Sequence, residues 1–304
     1  MPEFDVNYLG CGSATPTAYH MPSCQVIDFR GQLLMIDCGE GAQLQFKKMR
    51  LKLNRLSHIF ISHLHGDHFL GLPGLLSTMA LHDIGGTVTV HTFAEGAEVL
   101  DRILAVFCRD RSYDLVYDII EPRRAMIIDD KSLTVETFPL DHRVPAVGFL
   151  FREKPGQRHI IGDMVRYHQV PVSLMNDIKN GADFVRPDGR VIPNAMLTTD
   201  ASPARSYAYC SDTGYKPAIA EWISGVDTLY HESTYCDDCL EKACARGHST
   251  ASQAGMIAAA AGAKRLVLGH YSKVYKDTKQ FAREAASTFS GEIIAAYEGL
   301  TLRL

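Results

Sequence analysis

The stretch that decides the reading runs His58-Ile59-Phe60-Ile61-Ser62-His63-Leu64-His65-Gly66-Asp67-His68. Its apolar start suits a short buried strand. Its end carries His63, His65, Asp67 and His68 within six residues, in a chain with only 13 histidines among 304 residues. Imidazole and carboxylate are good ligands for zinc and similar divalent ions. A strand that runs into a tight loop leaves these side chains converging at the end of a sheet. Residues 63, 65 and 67 do not all reach one ion easily, because the chain must turn after Gly66. The spacing therefore predicts two adjacent metal positions.

Later strand ends supply further candidates. Phe138-Pro139-Leu140-Asp141-His142 closes one strand with a histidine, Tyr209-Cys210-Ser211-Asp212-Thr213 another with an aspartate, and Leu266-Val267-Leu268-Gly269-His270 a third with a histidine. The candidate metal ligands are thus His63, His65, Asp67, His68, His142, Asp212 and His270. Such a set suits two ions with one shared carboxylate. Asp212 is the natural bridge, because two oxygens can serve two metals where an imidazole offers one free nitrogen.

Around these points the periodicity alternates between strand and helix. Phe4–Leu9, Cys24–Phe29 and Gln32–Ile36 read as strands, the last two joined at Arg30-Gly31. Ala42 to Leu53 reads as one helix, with Ala42, Phe46, Met49 and Leu53 inward. Strand 56–62 leads into the histidine loop, and a helix starts near His68, interrupted at Gly71-Leu72-Pro73-Gly74. Strand and helix follow at 87–91 and 94–108, then strands near 115–120, 125–129, 132–138 and 146–151. Later strands are expected at 206–210, 228–230, 265–268 and 293–296, with helices near 216–223, 249–262 and 277–288. The pattern predicts an α/β protein with sheets inside and helices outside. Residues 153–205, rich in Pro, Gly, Asn and Asp, read as an insertion.

Composition narrows the classes further. A chain of 304 residues that is 46% hydrophobic can bury a large core, in one big domain or two fused halves. No apolar run approaches the roughly 20 residues that span a bilayer, so no membrane is expected. The start Met1-Pro2-Glu3-Phe4-Asp5 lacks the basic and apolar segments of a signal peptide. Most of the eight cysteines sit in apolar segments, which predicts reduced thiols in a cytoplasm. With a net charge of −4, nothing global attracts nucleic acid, and any polyanion must be met by a local patch. One candidate patch is Lys48, Lys52 and Arg55, at i, i+4 and i+7 on the helix expected after the Glu40 segment, with Lys47 and Arg50 nearby. Separately, Cys236, Cys239, Cys244 and His248 form C-x2-C-x4-C-x3-H, the ligand types of a structural zinc site on a spacing that fits no common knuckle.

Five segments in this order resemble the metallo-β-lactamase superfamily and, within it, the ribonuclease Z family of endonucleases that mature the 3′ end of transfer RNA. They are Leu9-Gly10-Cys11-Gly12-Ser13-Ala14-Thr15-Pro16-Thr17, Ile36-Asp37-Cys38-Gly39-Glu40-Gly41-Ala42-Gln43, and Ile61 through Gly74. The last two, His231-Glu232-Ser233-Thr234-Tyr235 and Gly247-His248-Ser249-Thr250, resemble that family's H-E-A-T-F and H-S-T loops. The resemblance covers essentially the whole chain. It implies a single domain over 1–304, an αβ/βα sandwich of two pseudo-symmetric halves with two mixed sheets inside, interrupted at about 153–205 by a possible substrate arm. It implies two Zn2+ per chain, one held by His63, His65 and His142, the other by Asp67, His68 and His270, with Asp212 between them. Asp67 would also orient the attacking water, and His248, supported by Glu232, would protonate the leaving oxygen.

The implied substrate is precursor tRNA, cut just 3′ of the discriminator base to leave a 3′-hydroxyl on the tRNA and a 5′-phosphate on the trailer. A homodimer is implied, and DNA is not expected as a partner. The chain departs from the family in three places. After Thr17 it has Ala18-Tyr19-His20-Met21-Pro22 rather than an arginine and asparagine, and after His270 it has Tyr271-Ser272-Lys273 rather than a serine pair and arginine. The insertion, finally, lacks the lysine-rich, Gly-Pro-containing arm of bacterial relatives, with seven Lys/Arg against six Asp/Glu over 152–200.

Overall fold

In the strand Gln32–Ile36, Leu33 and Met35 point to one apolar layer while Leu34 and Ile36 point to another. This period of two, with both faces buried, defines a sheet sandwiched between a second sheet and a layer of helices. The computed structural model describes residues 3–304; Met1 and Pro2, at the head of the segment read for a signal peptide, lie outside the described residues.

The first sheet contains β1 (Phe4–Gly10), β2 (Cys24–Phe29), β3 (Gln32–Ile36), β4 (Leu56–Phe60), β5 (Gly86–Thr92) and β6 (Tyr113–Ile119). The second contains β7 (Ala125–Asp129), β8 (Leu133–Pro139) and β9 (Val147–Glu153). Four short strands follow in the insertion, β10 (His159–Ile160), β11 (Phe184–Val185), β12 (Val191–Ile192) and β13 (Thr198–Thr199). The second sheet resumes with β14 (Ser206–Cys210), β15 (Thr228–Glu232), β16 (Arg265–Gly269) and β17 (Glu292–Ala295). The last strand, β18 (Thr301–Arg303), returns to the first sheet beside β1. The strand orders are β18-β1-β2-β3-β4-β5-β6 and β17-β16-β15-β14-β9-β8-β7. In each sheet one half is parallel and the other antiparallel. The fold is therefore the mixed α/β sandwich expected from the segments above.

The core between the sheets is aromatic. Phe60 meets Phe149 and Phe151 at ring separations of 5.4 and 5.3 Å, and Tyr209 stacks on Tyr230 at 5.0 Å. The helices Leu72–Leu81 and Ala94–Phe107 cover the outer face of the first sheet through Leu72, Leu75, Leu76, Met79, Leu100 and Leu104. Ala251–Ala261 packs on the second sheet and starts with a full capping box, Thr250 and Gln253 exchanging hydrogen bonds. The insertion holds a small core of its own from Val165, Val170, Ile178, Phe184, Ile192 and Leu197.

Three local expectations are corrected. The Ala42–Leu53 helix ends at Lys48, because Arg50 adopts a left-handed φ of 57° and Leu53–Arg55 is a separate 3-10 turn. Lys48, Lys52 and Arg55 therefore share no helix face, and Arg55 is tied to Asp28 and the Gly31 carbonyl. The cysteine-rich segment, which the sequence reads as a loop ahead of the 249–262 helix, is instead helical over Leu240–Arg246.

Candidate metal centre and catalytic site

The carboxyl ends of β3, β4, β8, β14, β15 and β16 lie along one edge of the sandwich, where open α/β sheets place their sites. Following β4, Ile61 and Ser62 lead straight into His63, and the four-residue helix Gly66–Phe69 turns Asp67 and His68 back inward. The turn is tight. A Cβ on Gly39, in the segment after β3, would stand 2.3 Å from the Asp67 carbonyl oxygen, so only glycine lets the two loops touch. His142 follows β8, Asp212 follows β14 and His270 follows β16 at a left-handed φ of 62°.

These side chains form two groups. One ligand atom each from His63, His65, His142 and Asp212 lies within 4.8 Å of the others, and the same holds for Asp67, His68 and His270. Asp212 faces both groups, with Oδ2 3.6 Å from His63 Nε2 and Oδ1 3.2 Å from His270 Nε2 and 3.5 Å from His68 Nε2. Asp212, His248 and His270 form a third possible group.

The donor set fits divalent ions. His63 Nε2 and His142 Nε2 stand 3.1 and 3.2 Å from His65 Nδ1, while His68 Nε2 and His270 Nε2 are 3.3 Å apart. At most one proton can lie between two such nitrogens, whereas a cation satisfies both. Asp212 Oδ1 is buried without a hydrogen-bond partner. Burial pushes His63, His65 and His142 below the ordinary imidazole range, toward the neutral form that ligates metal. Burial would also lower His68, but Asp212, Asp37 and Asp67 overrule it and raise its imidazole to about 10. The carboxylates thus favour positive charge at that point. Asp67, which burial would raise, is held well below the carboxylate range by His68, His270 and the Ala14 amide, 2.6 Å from Oδ2.

The opposite nitrogen of four of these imidazoles is occupied. His63 Nδ1 meets Ser62 Oγ at 3.0 Å, His142 Nδ1 the Gly247 carbonyl at 2.8 Å, His68 Nδ1 Asp37 at 2.7 Å and His270 Nδ1 Thr234 Oγ1 at 2.8 Å. Such contacts fix tautomer and ring direction. Asp37 belongs to the Ile36–Gln43 motif, and the resemblance assigns it no role. It is fully buried and also accepts from the Ser62 amide and hydroxyl and from the Tyr209 hydroxyl, at 2.7–2.8 Å. Its left-handed φ of 55° was not readable in sequence, although an aspartate just past a strand end was visible.

Glu232 and His248 form a pair beside the cluster. Glu232 Oε1 accepts from His248 Nδ1 at 2.9 Å and from the amides of Thr213 and Ser249, while Oε2 takes the Thr234 amide and hydroxyl. Burial alone would raise Glu232, but His248 and these donors keep it ionised and low. Burial alone would lower His248, but Glu232, with a smaller contribution from Asp212, raises it to about 9. His231, the neighbour in the same motif, is buried with Nδ1 on the Glu232 carbonyl and faces away from this chemistry. Cys236 is buried, Cys239 half-buried and Cys244 exposed, while His248 turns to Glu232, and no metal-competent group among the described residues contains a cysteine.

A cleft of about 490 Å3 opens over the cluster, lined among others by Asp67, Asp212, His248, Arg143, Arg246 and Lys273. Three cations around a histidine–carboxylate floor suit a phosphodiester approaching an acidified water.

Comparison with known proteins gives three concordant matches and a partial one. "Ribonuclease Z" of Parabacteroides distasonis is 48% identical over 303 residues, 99% of each chain. "Ribonuclease Z" of Porphyromonas gingivalis is 49% identical over 297 residues, 97% of each chain. The crystal structure of human tRNase Z, short form, superposes with a TM-score of 0.71 at 25% identity and covers 98% of both chains. Residues 4–160 match the family model described as Anti-Pycsar protein Apyc1.

Proposed function

We propose, on the premise that this chain belongs to the ribonuclease Z family and, over residues 4–160, to the Anti-Pycsar protein Apyc1 family, that it is a metal-dependent endoribonuclease that trims the 3′ end of precursor tRNA. The partial match stops before Asp212, Glu232, His248 and His270, whereas the ribonuclease Z relatives run the full length. The observation that carries the reading is the buried Glu232–His248 pair set beside two ligand groups that share Asp212.

In this reading His63, His65 and His142 would hold one zinc ion and Asp67, His68 and His270 a second, with Asp212 shared between the two groups. When bound, such ions would supply an acidified water and would offset the charge that grows on the phosphodiester oxygens. The protein's own groups do the rest. Asp67, whose Oδ2 is held by the Ala14 amide, would orient the attacking water. Arg143, Arg246 and Lys273 hold the phosphates that flank the scissile one. His248 donates the proton from Nε2, the nitrogen that Glu232 leaves free, to the departing 3′ oxygen, and Glu232 stabilises the charged ring until then. Cleavage follows the discriminator base and leaves a 3′-hydroxyl on the tRNA and a 5′-phosphate on the trailer. The reaction never uses the RNA 2′-hydroxyl. A cytoplasmic homodimer completes the proposal.

The test is incubation of the zinc-loaded protein with precursor tRNA and analysis of both product ends. A 3′-hydroxyl and a 5′-phosphate at the discriminator position are expected; a 2′,3′-cyclic phosphate would exclude the mechanism. A nitrophenyl phosphodiester in parallel separates an RNA processor from a hydrolase of small diesters, which would favour the small substrate.

A further inference from the structure

Three strands that carry site residues at one end begin, at the other, around a second cleft. β3 leads to Asp37 but starts just after Arg30, β8 leads to His142 but starts just after Lys131, and β14 leads to Asp212 but starts just after Arg205. A cleft of about 320 Å3 lies among these three residues, and Glu153, Lys154 and His159 at the base of the insertion complete its wall. It stands a strand length from the metal cluster, roughly 17–23 Å for strands of five to seven residues. Its floor is an ion triad. Glu153, 9% exposed, accepts from Arg30 Nη2 at 2.9 Å through Oε1 and from Arg205 Nε at 2.9 Å through Oε2, with Arg205 Nη2 3.2 Å from Oε1. Burial would raise that carboxyl, but Arg205 and Arg30 hold it below the ordinary carboxylate range. Arg30 itself adopts a left-handed φ of 50°, in the two-residue turn with Gly31 where asparagine or glycine is the usual choice.

Two guanidiniums share one carboxylate here, so the triad keeps one positive charge unmatched. Lys131 adds a second, since it has no hydrogen bond or ion pair among the described residues, whereas Asp129 neutralises Lys154. Arg30 spends only Nη2 on Glu153, and its Nε and Nη1 meet no acceptor among the described residues. His159, with Nε2 3.3 Å from Ser202 Oγ, stands on the same wall. A planar guanidinium fork beside a flexible ammonium is a donor set that grips a tetrahedral oxyanion. We propose that this cleft binds a phosphomonoester. Near neutral pH the monoester carries almost two negative charges, which match the two unmatched cations; the single charge of an RNA backbone diester does not. The walls come from the first sheet, the second sheet and the insertion, so a phosphate bound there would tie the insertion to both sheets.

The probe is glycerol 3-phosphate, titrated by calorimetry into the zinc-loaded protein, with dimethyl phosphate as the diester control. The monoester should bind saturably and more tightly than the diester. Lys131→Ala and Arg30→Gln should each weaken its binding roughly 10- to 100-fold, the worth of one charge-assisted bond. Neither should change kcat on precursor tRNA measured without the probe. Arg30→Gln also unpairs Glu153 and can cost stability, so the exposed Lys131→Ala decides where the two disagree. Equal binding of the diester, unchanged binding in Lys131→Ala, or loss of binding in Asp67→Ala instead, which would put the phosphate at the metal cluster, each overturns the site. Competition then identifies the source. Displacement of the probe by a 5′-phosphorylated tRNA, but not by the same tRNA without that phosphate, assigns the monoester to an RNA end. Displacement by neither supports a small solute, and equal displacement by both overturns the proposal in favour of backbone binding.

Discussion

At the scale of single residues, His248 is defined by what surrounds it. Glu232 occupies Nδ1 and raises the imidazole to about 9, so the acid form dominates at neutral pH and is lost as pH rises through that value. The turnover number on RNA should therefore fall above about pH 9, and His248→Ala should abolish that limb. The same substitution should lower kcat on RNA by roughly 10²–10⁴-fold with little change in KM. A nitrophenyl phosphodiester, whose leaving group needs almost no proton, should lose much less activity. Loss of zinc from the mutant would instead assign His248 to the third ligand group, with Asp212 and His270. Asp37 is the complementary case, a buried acceptor for His68, Ser62 and Tyr209. Asp37→Asn should weaken binding of the second zinc by about 10–100-fold in a chelator competition, the usual cost of removing such a support. An unchanged affinity would show that His68 needs no orienting carboxylate.

At the scale of elements, the segment 42–55 shows what sequence reveals and what it hides. The apolar spacing of Ala42, Phe46, Met49 and Leu53 predicts one helix, and all four do face the same core. The chain nevertheless leaves the helix after Lys48 through a Schellman motif, the Arg50 amide bonding the Lys47 carbonyl and the Leu51 amide the Phe46 carbonyl, both at 3.1 Å. Glycine usually announces that motif. Here Arg50 occupies the left-handed position, so the stop signal is missing from the sequence. Arg50→Gly should relieve strain and stabilise the fold by up to about 1 kcal/mol, seen as a rise in Tm; a fall would mean that the Arg50 side chain contributes more than the backbone costs. β4 and its loop were legible for the opposite reason. The apolar run, the loop glycine and the ligand types all agree there. The strand Thr301–Arg303 was missed because three residues carry too little periodicity.

At the scale of the whole molecule, the two-sheet architecture was legible because each sheet repeats the strand–helix alternation, while the insertion was not, since its elements span two to six residues. Sequence order alone could not bring His63 and His270 to one edge; the sandwich does so by aligning the ends of β4 and β16. Metal analysis after zinc reconstitution should return about two ions per chain. One or fewer would defeat the two-ion assignment. Light scattering should give the mass of two chains. A monomeric parent would remove the homodimer.

The return of β18 to the side of β1 bears on how the protein comes off the ribosome. The first sheet cannot cover the β1 edge until Thr301–Arg303 have been made, and Asp67 and His68 have no His270 until some 200 residues after they are made. Contacts of such sequence separation form late. A growing chain therefore carries the histidine loop long before it can complete the second ligand group, and the chain made up to that point lacks the His270 side of the proposed two-ion site.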